Sequence, residues 1–275
     1  MSKSTFIEAF GVLKEYVDVR DYKLKITHKE ELPLSFLLHP CDVKSQGAVG
    51  SCVAHAIAET IEYHNKEQEK NTEKFSTGFI YGNRRNSASK TSGMYIREAL
   101  ANTCKYGDVL LKDFKENVET PEAIDLFEKK FDNLKDKAYP NRFSTYFRLK
   151  SEEDIKYALM HYGPVVFAID WYSDIKVDAD GIMRTTQEKK NITGGHCMMI
   201  YGWTPQGWRI QNSWGKNWGK SGRAILPYDV KLNEAWGITD EVTSENATVK
   251  KSVFNTTFLR WLGKLLNWLL NLKRK

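Results

Sequence analysis

Apolar positions change their spacing partway along this chain. From Ser51 onward, Val53, Ala56, Ile57, Thr60, Ile61 and His64 recur every three or four residues, which predicts a helix whose solvated side continues through the Glu/Lys-rich run 62–74. A second helical pattern, Ile96, Ala99, Leu100 and Thr103, follows Gly93 and is stopped by Gly107. Thr120 before Pro121 predicts the start of a third helix over 121–131. A fourth runs from Ser151 to Tyr162, with an acid three residues after the serine and Gly163-Pro164 as its stop. Beyond Pro164 the pattern becomes short β-prone runs between glycine-rich turns: Val165–Ile169, Cys197–Tyr201, Trp208–Gln211 and Arg223–Leu226. Helices first and strands second is an α+β arrangement, two lobes with a cleft between them. Residues 1–30 are polar with scattered apolar positions and read as an N-terminal arm. Pro33, Pro40 and Gly47 then keep the stretch before Ser51 irregular.

Composition narrows this picture without changing it. A chain of 275 residues with 41% hydrophobic and 28% charged residues suits one two-lobed domain with short appendages. The net charge of +6 is unevenly placed: residues 241–275 carry seven Lys/Arg against two acids, which leaves the remainder nearly neutral. The basic character therefore belongs to a tail, and no nucleic-acid partner is expected. Four cysteines without a C-x-x-C pair give no zinc pattern and leave room for one bridge, such as Cys41 to Cys104. No metal or cofactor is expected. The first twenty residues lack the apolar core of a signal peptide, so the expected compartment is the cytoplasm.

Three pieces carry the candidate chemistry. Cys52 follows Gln46-Gly47-Ala48-Val49-Gly50-Ser51, at the start of the first helix, where the helix N-terminus favours a thiolate. His196 lies in Gly194-Gly195-His196-Cys197-Met198 and opens a buried strand that can hold its ring in one orientation. Asn212 begins Asn212-Ser213-Trp214-Gly215, where an amide carbonyl can accept the far imidazole N–H and an indole can keep water away. Taken singly, each has a plain structural explanation. Together they give a thiol, an imidazole and an amide in the order Cys, His, Asn. The histidine and asparagine follow the cysteine by 144 and 160 residues, near the separation of about 130–150 found in papain-type enzymes.

On these residues the chain resembles the papain-like cysteine peptidases from about residue 10 to about 238. It looks most like their bacterial, archaeal and phage branch. Further matching stretches are Val19-Arg20-Asp21-Tyr22, Ser51–Ala56, Gly163-Pro164-Val165-Val166, Leu226-Pro227-Tyr228 and Glu234-Ala235-Trp236. The resemblance implies a papain-like fold over 31–240, with a helical left lobe carrying Cys52 and a β-barrel-like right lobe carrying His196 and Asn212. It implies an endopeptidase acting on protein or peptide substrates. Cys52 would be the nucleophile, His196 its base and then the acid for the leaving amine, and Gln46 the side-chain donor to the oxyanion. Asn212 would orient the ring, Trp214 would cover that contact, and Gly93 and Gly195 would lie along the substrate cleft. Val49 and Val53 depart from the family's usual C-G-S-C-W, and Gly195 stands where many relatives carry a residue that helps orient the histidine. About 30 residues precede the domain, so no long inhibitory propeptide is expected. The rival readings are a catalytically silent papain-like structural or binding module, virion-associated for example, and another thiol hydrolase such as a peptidoglycan peptidase. Among the other histidines, His55 is expected to hydrogen-bond within its helix, and Cys197 to be buried and inert.

The tail has its own pattern. After a polar linker over 241–253, residues Phe258, Trp261, Leu262, Leu265, Trp268, Leu269 and Leu272 form one apolar helical face over 254–275, with Lys273-Arg274-Lys275 at its end. This amphipathic basic helix is too short and too charged to cross a bilayer, and suits an anionic membrane interface or a protein partner.

Overall fold

The computed structural model describes residues 10–13, 18, 21, 31–69, 72–84, 93–115, 118 and 120–239. The tail therefore lies outside the described residues. In chain order the elements are β1 (Phe36–Leu37), α1 (Cys52–Glu69), α2 (Thr77–Gly82), α3 (Ile96–Tyr106), α4 (Pro121–Ala138), β2 (Thr145–Leu149), α5 (Glu152–His161) and β3 (Val165–Tyr172). They continue with β4 (Lys176–Val177), β5 (Met183–Arg184), β6 (Ile192–Thr204), β7 (Gly207–Gln211), β8 (Arg223–Pro227) and β9 (Leu232–Thr239).

Local chemistry accounts for the helix limits. Gly107 ends α3 at φ +83°, a conformation that glycine adopts without steric cost. Thr120 caps α4 by accepting from the Ala123 amide at 3.2 Å, and the helix runs on to Ala138, seven residues past the expected end. Ser151 and Asp154 form a reciprocal capping box on α5. The expectation for α1 needs correcting, because the helix is enclosed by the rest of the domain. Glu59, Glu62, His64 and Asn65 are buried, so a solvated side begins only near Lys66. The Glu62 carboxylate is retained inside because it accepts from Lys44 Nζ at 2.6 Å and the Phe75 amide at 2.8 Å.

The second lobe is an antiparallel sheet in the order β2-β9-β3-β6-β7-β8, with β1 added to β6. The barrel-like lobe expected from the resemblance is thus an open sheet. One of its faces, through Val166, Ala168, Cys197 and Trp236, packs against α1 and the helical lobe. The other, through Phe167, Ile169, Met198, Ile200 and Trp208, packs against α5 and its own loops. Period-2 alternation along β3 and β6 is what serves both cores at once. All four cysteines are free thiols, so the bridge allowed by the sequence does not form.

Candidate active site

Two walls meet at the junction of the lobes. The helical wall begins with the turn 46–51, which delivers Cys52 at the first position of α1. His55 braces this turn: its Nδ1 lies 2.9 Å from the Ser51 carbonyl and 3.3 Å from Ser51 Oγ. It thus hydrogen-bonds within its own helix. Gln46 sits just before the turn and is buried at 3% exposure. Its amide Nε2 donates to the Val49 carbonyl at 2.8 Å, and its Oε1 accepts from Ser213 Oγ at 2.6 Å.

The strand wall is β6 and the loop after β7. His196 stands inside β6, opposite Ile169 of β3, and does not open the strand as the sequence suggested. Its Nε2 donates to Asn212 Oδ1 at 2.8 Å. The same Oδ1 accepts from the Ser213 amide at 2.8 Å, so two donors converge on it and it must be the carbonyl oxygen. The proton therefore resides on Nε2, and Nδ1 keeps a lone pair that has no hydrogen-bond partner among the described residues. Trp214 lies over the ring with centroids 4.6 Å apart, and Trp171 meets it edge-on at 5.1 Å. This aromatic wall is why the contact stays dry.

Ser213 joins the walls. Its backbone N–H holds Asn212, its hydroxyl holds the Gln46 side chain, and its carbonyl accepts from the Gln46 backbone N–H at 2.8 Å. Sequence reasoning gave Ser213 no role, although its place immediately after Asn212 was a usable signal. Cys197 projects from β6 toward α1, buried as expected, and its backbone amide lies at the Cys52 thiol. Adjacent residues on one strand thus serve opposite sides of the junction.

The arm enters here, and the sequence did not anticipate it. Residues 10–13 run through the cleft between the two glycine positions expected to line it. The Gly11 and Val12 amides donate to the Gly195 carbonyl at 3.3 and 3.1 Å. On the opposite side the Met94 amide donates to the Gly11 carbonyl at 2.7 Å, and Leu13 donates to the Met94 carbonyl at 2.9 Å, pairing Val12 with Met94 in parallel. A Cβ on Gly195 would lie 3.0 Å from the Val12 carbonyl oxygen, and one on Gly93 would lie 3.0 Å from that of Gly11. Both glycines are needed for this close approach. Phe10 packs edge-on against His196 and Trp214, at 6.3 Å from each. A phenylalanine and glycine followed by Val12-Leu13 in a polar arm was the available signal.

The arm completes the burial of both reactive groups. Cys52 and His196 are each fully covered. Burial pushes the thiol up to about 11, against the pull of the Cys197 and Gly11 amides. It pushes the imidazole down to about 4, against the hydrogen bond to Asn212. With water excluded, both groups are neutral at neutral pH.

A papain family cysteine protease profile matches residues 39–245. An uncharacterized peptidase C1-like protein of Acanthamoeba polyphaga mimivirus is 27% identical over 88% of this chain and 90% of its own. The viral cathepsin of Adoxophyes honmai nucleopolyhedrovirus is 28% identical over 75% of this chain, which spans 58% of that protein. Among solved structures, xylellain, a cysteine protease from Xylella fastidiosa, superposes with a TM-score of 0.73 at 24% identity over 88% of this chain and all of that one. A procathepsin B from Trypanosoma congolense does so with a TM-score of 0.65 at 19% identity, over 87% and 90%. The profile spans both walls of the cleft, and with them Cys52, His196 and Asn212, so the chain belongs to the papain family of cysteine proteases.

Proposed function

We propose that this chain is an endopeptidase in which Cys52 attacks the scissile carbonyl and His196 manages the proton. The observation that carries this reading is the hydrogen bond from His196 Nε2 to Asn212 Oδ1, which leaves Nδ1 as the basic nitrogen in a cleft that also holds the thiol. Once the cleft is open, Nδ1 takes the thiol proton and gives a thiolate–imidazolium pair. The thiolate adds to the carbonyl, and Gln46 Nε2 with the Cys52 amide donates to the oxyanion. The imidazolium then protonates the leaving amine, and water releases the acyl group from sulfur. Asn212 keeps the ring in register and Trp214 shields that hydrogen bond. Gly93 and Gly195 bring backbone groups close enough to bind an extended peptide, as they bind residues 10–13.

Hydrolysis of a fluorogenic peptide by the full chain and by Cys52→Ala tests this reading. Turnover is expected only with the cysteine, and equal turnover by both would refute it. The placement in the bacterial, archaeal and phage branch is proposed on the sequence stretches that match it, such as Val19-Arg20-Asp21-Tyr22 and Ser51–Ala56. The tail over 254–275 is proposed as a tether to an anionic membrane surface or a partner assembly, on its sequence pattern alone.

A further inference from the structure

We infer that Asp21 is a clasp that holds residues 10–13 in the cleft, so that access to Cys52 is set by one buried ion cluster outside the cleft. This rests on the reading of Cys52 as the nucleophile. A turn in which the Asp21 amide donates to the Asp18 carbonyl at 3.1 Å presents the Asp21 carboxylate inward, where its side chain is only 5% exposed. There it meets one arginine from each lobe. Arg97 of α3 donates from Nη2 to one carboxylate oxygen at 2.7 Å, and its Nε lies 2.7 Å from the other as an ion pair. Arg148 of β2 approaches the second oxygen with Nη1 at 3.7 Å.

Both guanidinium groups lie over the indole of Trp236, at 5.7 and 5.1 Å from its centre, and the indole N–H is fixed by Glu234 at 2.8 Å. Both cations thus sit against Trp236 of β9, and Asp21 brings the arm's carboxylate to them. The arm carboxylate thus sets a negative charge between a partly buried cation of one lobe and a buried cation of the other.

The arm is held as a plug and is poorly placed as a substrate. The Gly11 amide faces the thiol, whereas the Gly11 carbonyl is turned to the Met94 amide. The nucleophile thus meets an N–H, which it cannot attack. Gly11 has no room for a side chain either, since a Cβ would overlap the Gly50 carbonyl oxygen. The plug and the clasp can be loosened by separate substitutions in the arm.

The test is the rate at which iodoacetamide alkylates Cys52 in the full chain at one neutral pH, mapped by mass spectrometry with half-buried Cys41 as internal reference. Gly11→Ala is expected to raise the Cys52 rate at least tenfold by unseating the plug, with Cys41 unchanged. Asp21→Asn is expected to do the same through the clasp, and Asp21→Glu to fall between it and the unsubstituted chain. Should Asp21→Asn loosen the whole fold, Cys41 accelerates with it, and Asp21→Glu then decides. A faster Cys52 in Gly11→Ala, with both Asp21 variants as slow as the parent, would overturn the clasp. A Cys52 no faster in any variant would overturn the plug as well. Alkylation reports access to the thiol and not turnover. Accelerated labelling without peptide hydrolysis would therefore count against the peptidase reading and leave the clasp standing.

Discussion

The two walls of the cleft are built by different physics. On the helical wall, Gln46 and Cys52 are six residues apart, and short-range features place them: a glycine-bearing turn, the start of α1, and His55 bracing Ser51 one helical turn on. On the strand wall, His196 and Asn212 are correctly placed only if β6 pairs with β3 and β7 in the right register. A slip of one residue would turn His196 toward α1 and Cys197 toward Trp214. Ser213 is where the walls are joined, by contacts spanning 167 residues of sequence. A nucleophile can thus be set by local structure, while its base depends on the whole sheet.

Substitutions at either wall probe this difference. Cys52→Ala is expected to abolish hydrolysis altogether with the fold retained, because no other atom can form the acyl-enzyme. His196→Ala should follow, with kcat reduced by about 10³–10⁴, the scale of losing positioned acid–base chemistry. Gln46→Ala should lower kcat by about 10²–10³, as expected for one oxyanion donor. A loss under about threefold would mean that its amide does not reach the oxyanion. Asn212→Ala should cost about ten- to hundredfold, the worth of one hydrogen bond to a charged ring. It disturbs orientation and leaves the proton-carrying group in place, so a loss larger than that of His196→Ala would reverse the roles assigned to the strand wall. Steady-state kinetics on a fluorogenic peptide measures all four.

The smallest expected effect is on stability. Burial holds His55 at about 4, below its ordinary 6.5, so between those pH values the unfolded chain binds a proton that the native chain refuses. Stability therefore rises with pH across that window, and His196 contributes in the same sense. Buried Glu59, raised to about 8, acts oppositely between about 4.5 and 8, because the native state there holds the extra proton. His55→Phe should flatten the acid-side slope by up to about 1.4 kcal/mol per pH unit. Urea midpoints across that range check it, and an unchanged slope would mean that His55 is not held neutral in the fold.

Much of the fold was legible because its signals are local. The limits of α3 and α5 follow from Gly107, the Ser151–Asp154 box and Gly163, and the β-prone runs after Pro164 all fall in strands. α2 leaves little trace, since Thr77–Gly82 is a six-residue helix containing Gly78 and Gly82, too short for a clear periodicity. β2 and β9 were missed as strands because their pairing, Thr145 with Thr239 through Leu149 with Ala235, joins segments nearly a hundred residues apart. The burial of Glu62 is invisible in the sequence for a related reason. Its partners, Lys44 and the Phe75 amide, lie outside the helix that carries it.

What the sequence by itself determined was the chemical inventory and its order: a thiol at a helix start, an imidazole in a β-prone run, an amide before Ser213-Trp214, and glycines where close approach would be needed. Residue type and short-range spacing carry that information, because backbone conformation and reactivity are properties of a few neighbouring residues. Only the tertiary structure decided that the arm fills the cleft, that Asp21 lies between Arg97 and Arg148, and that thiol and imidazole are both held neutral. Those outcomes depend on which surfaces exclude water from one another. Exclusion of water is a property of packed elements distant in the chain, and it leaves no periodic trace along any one of them.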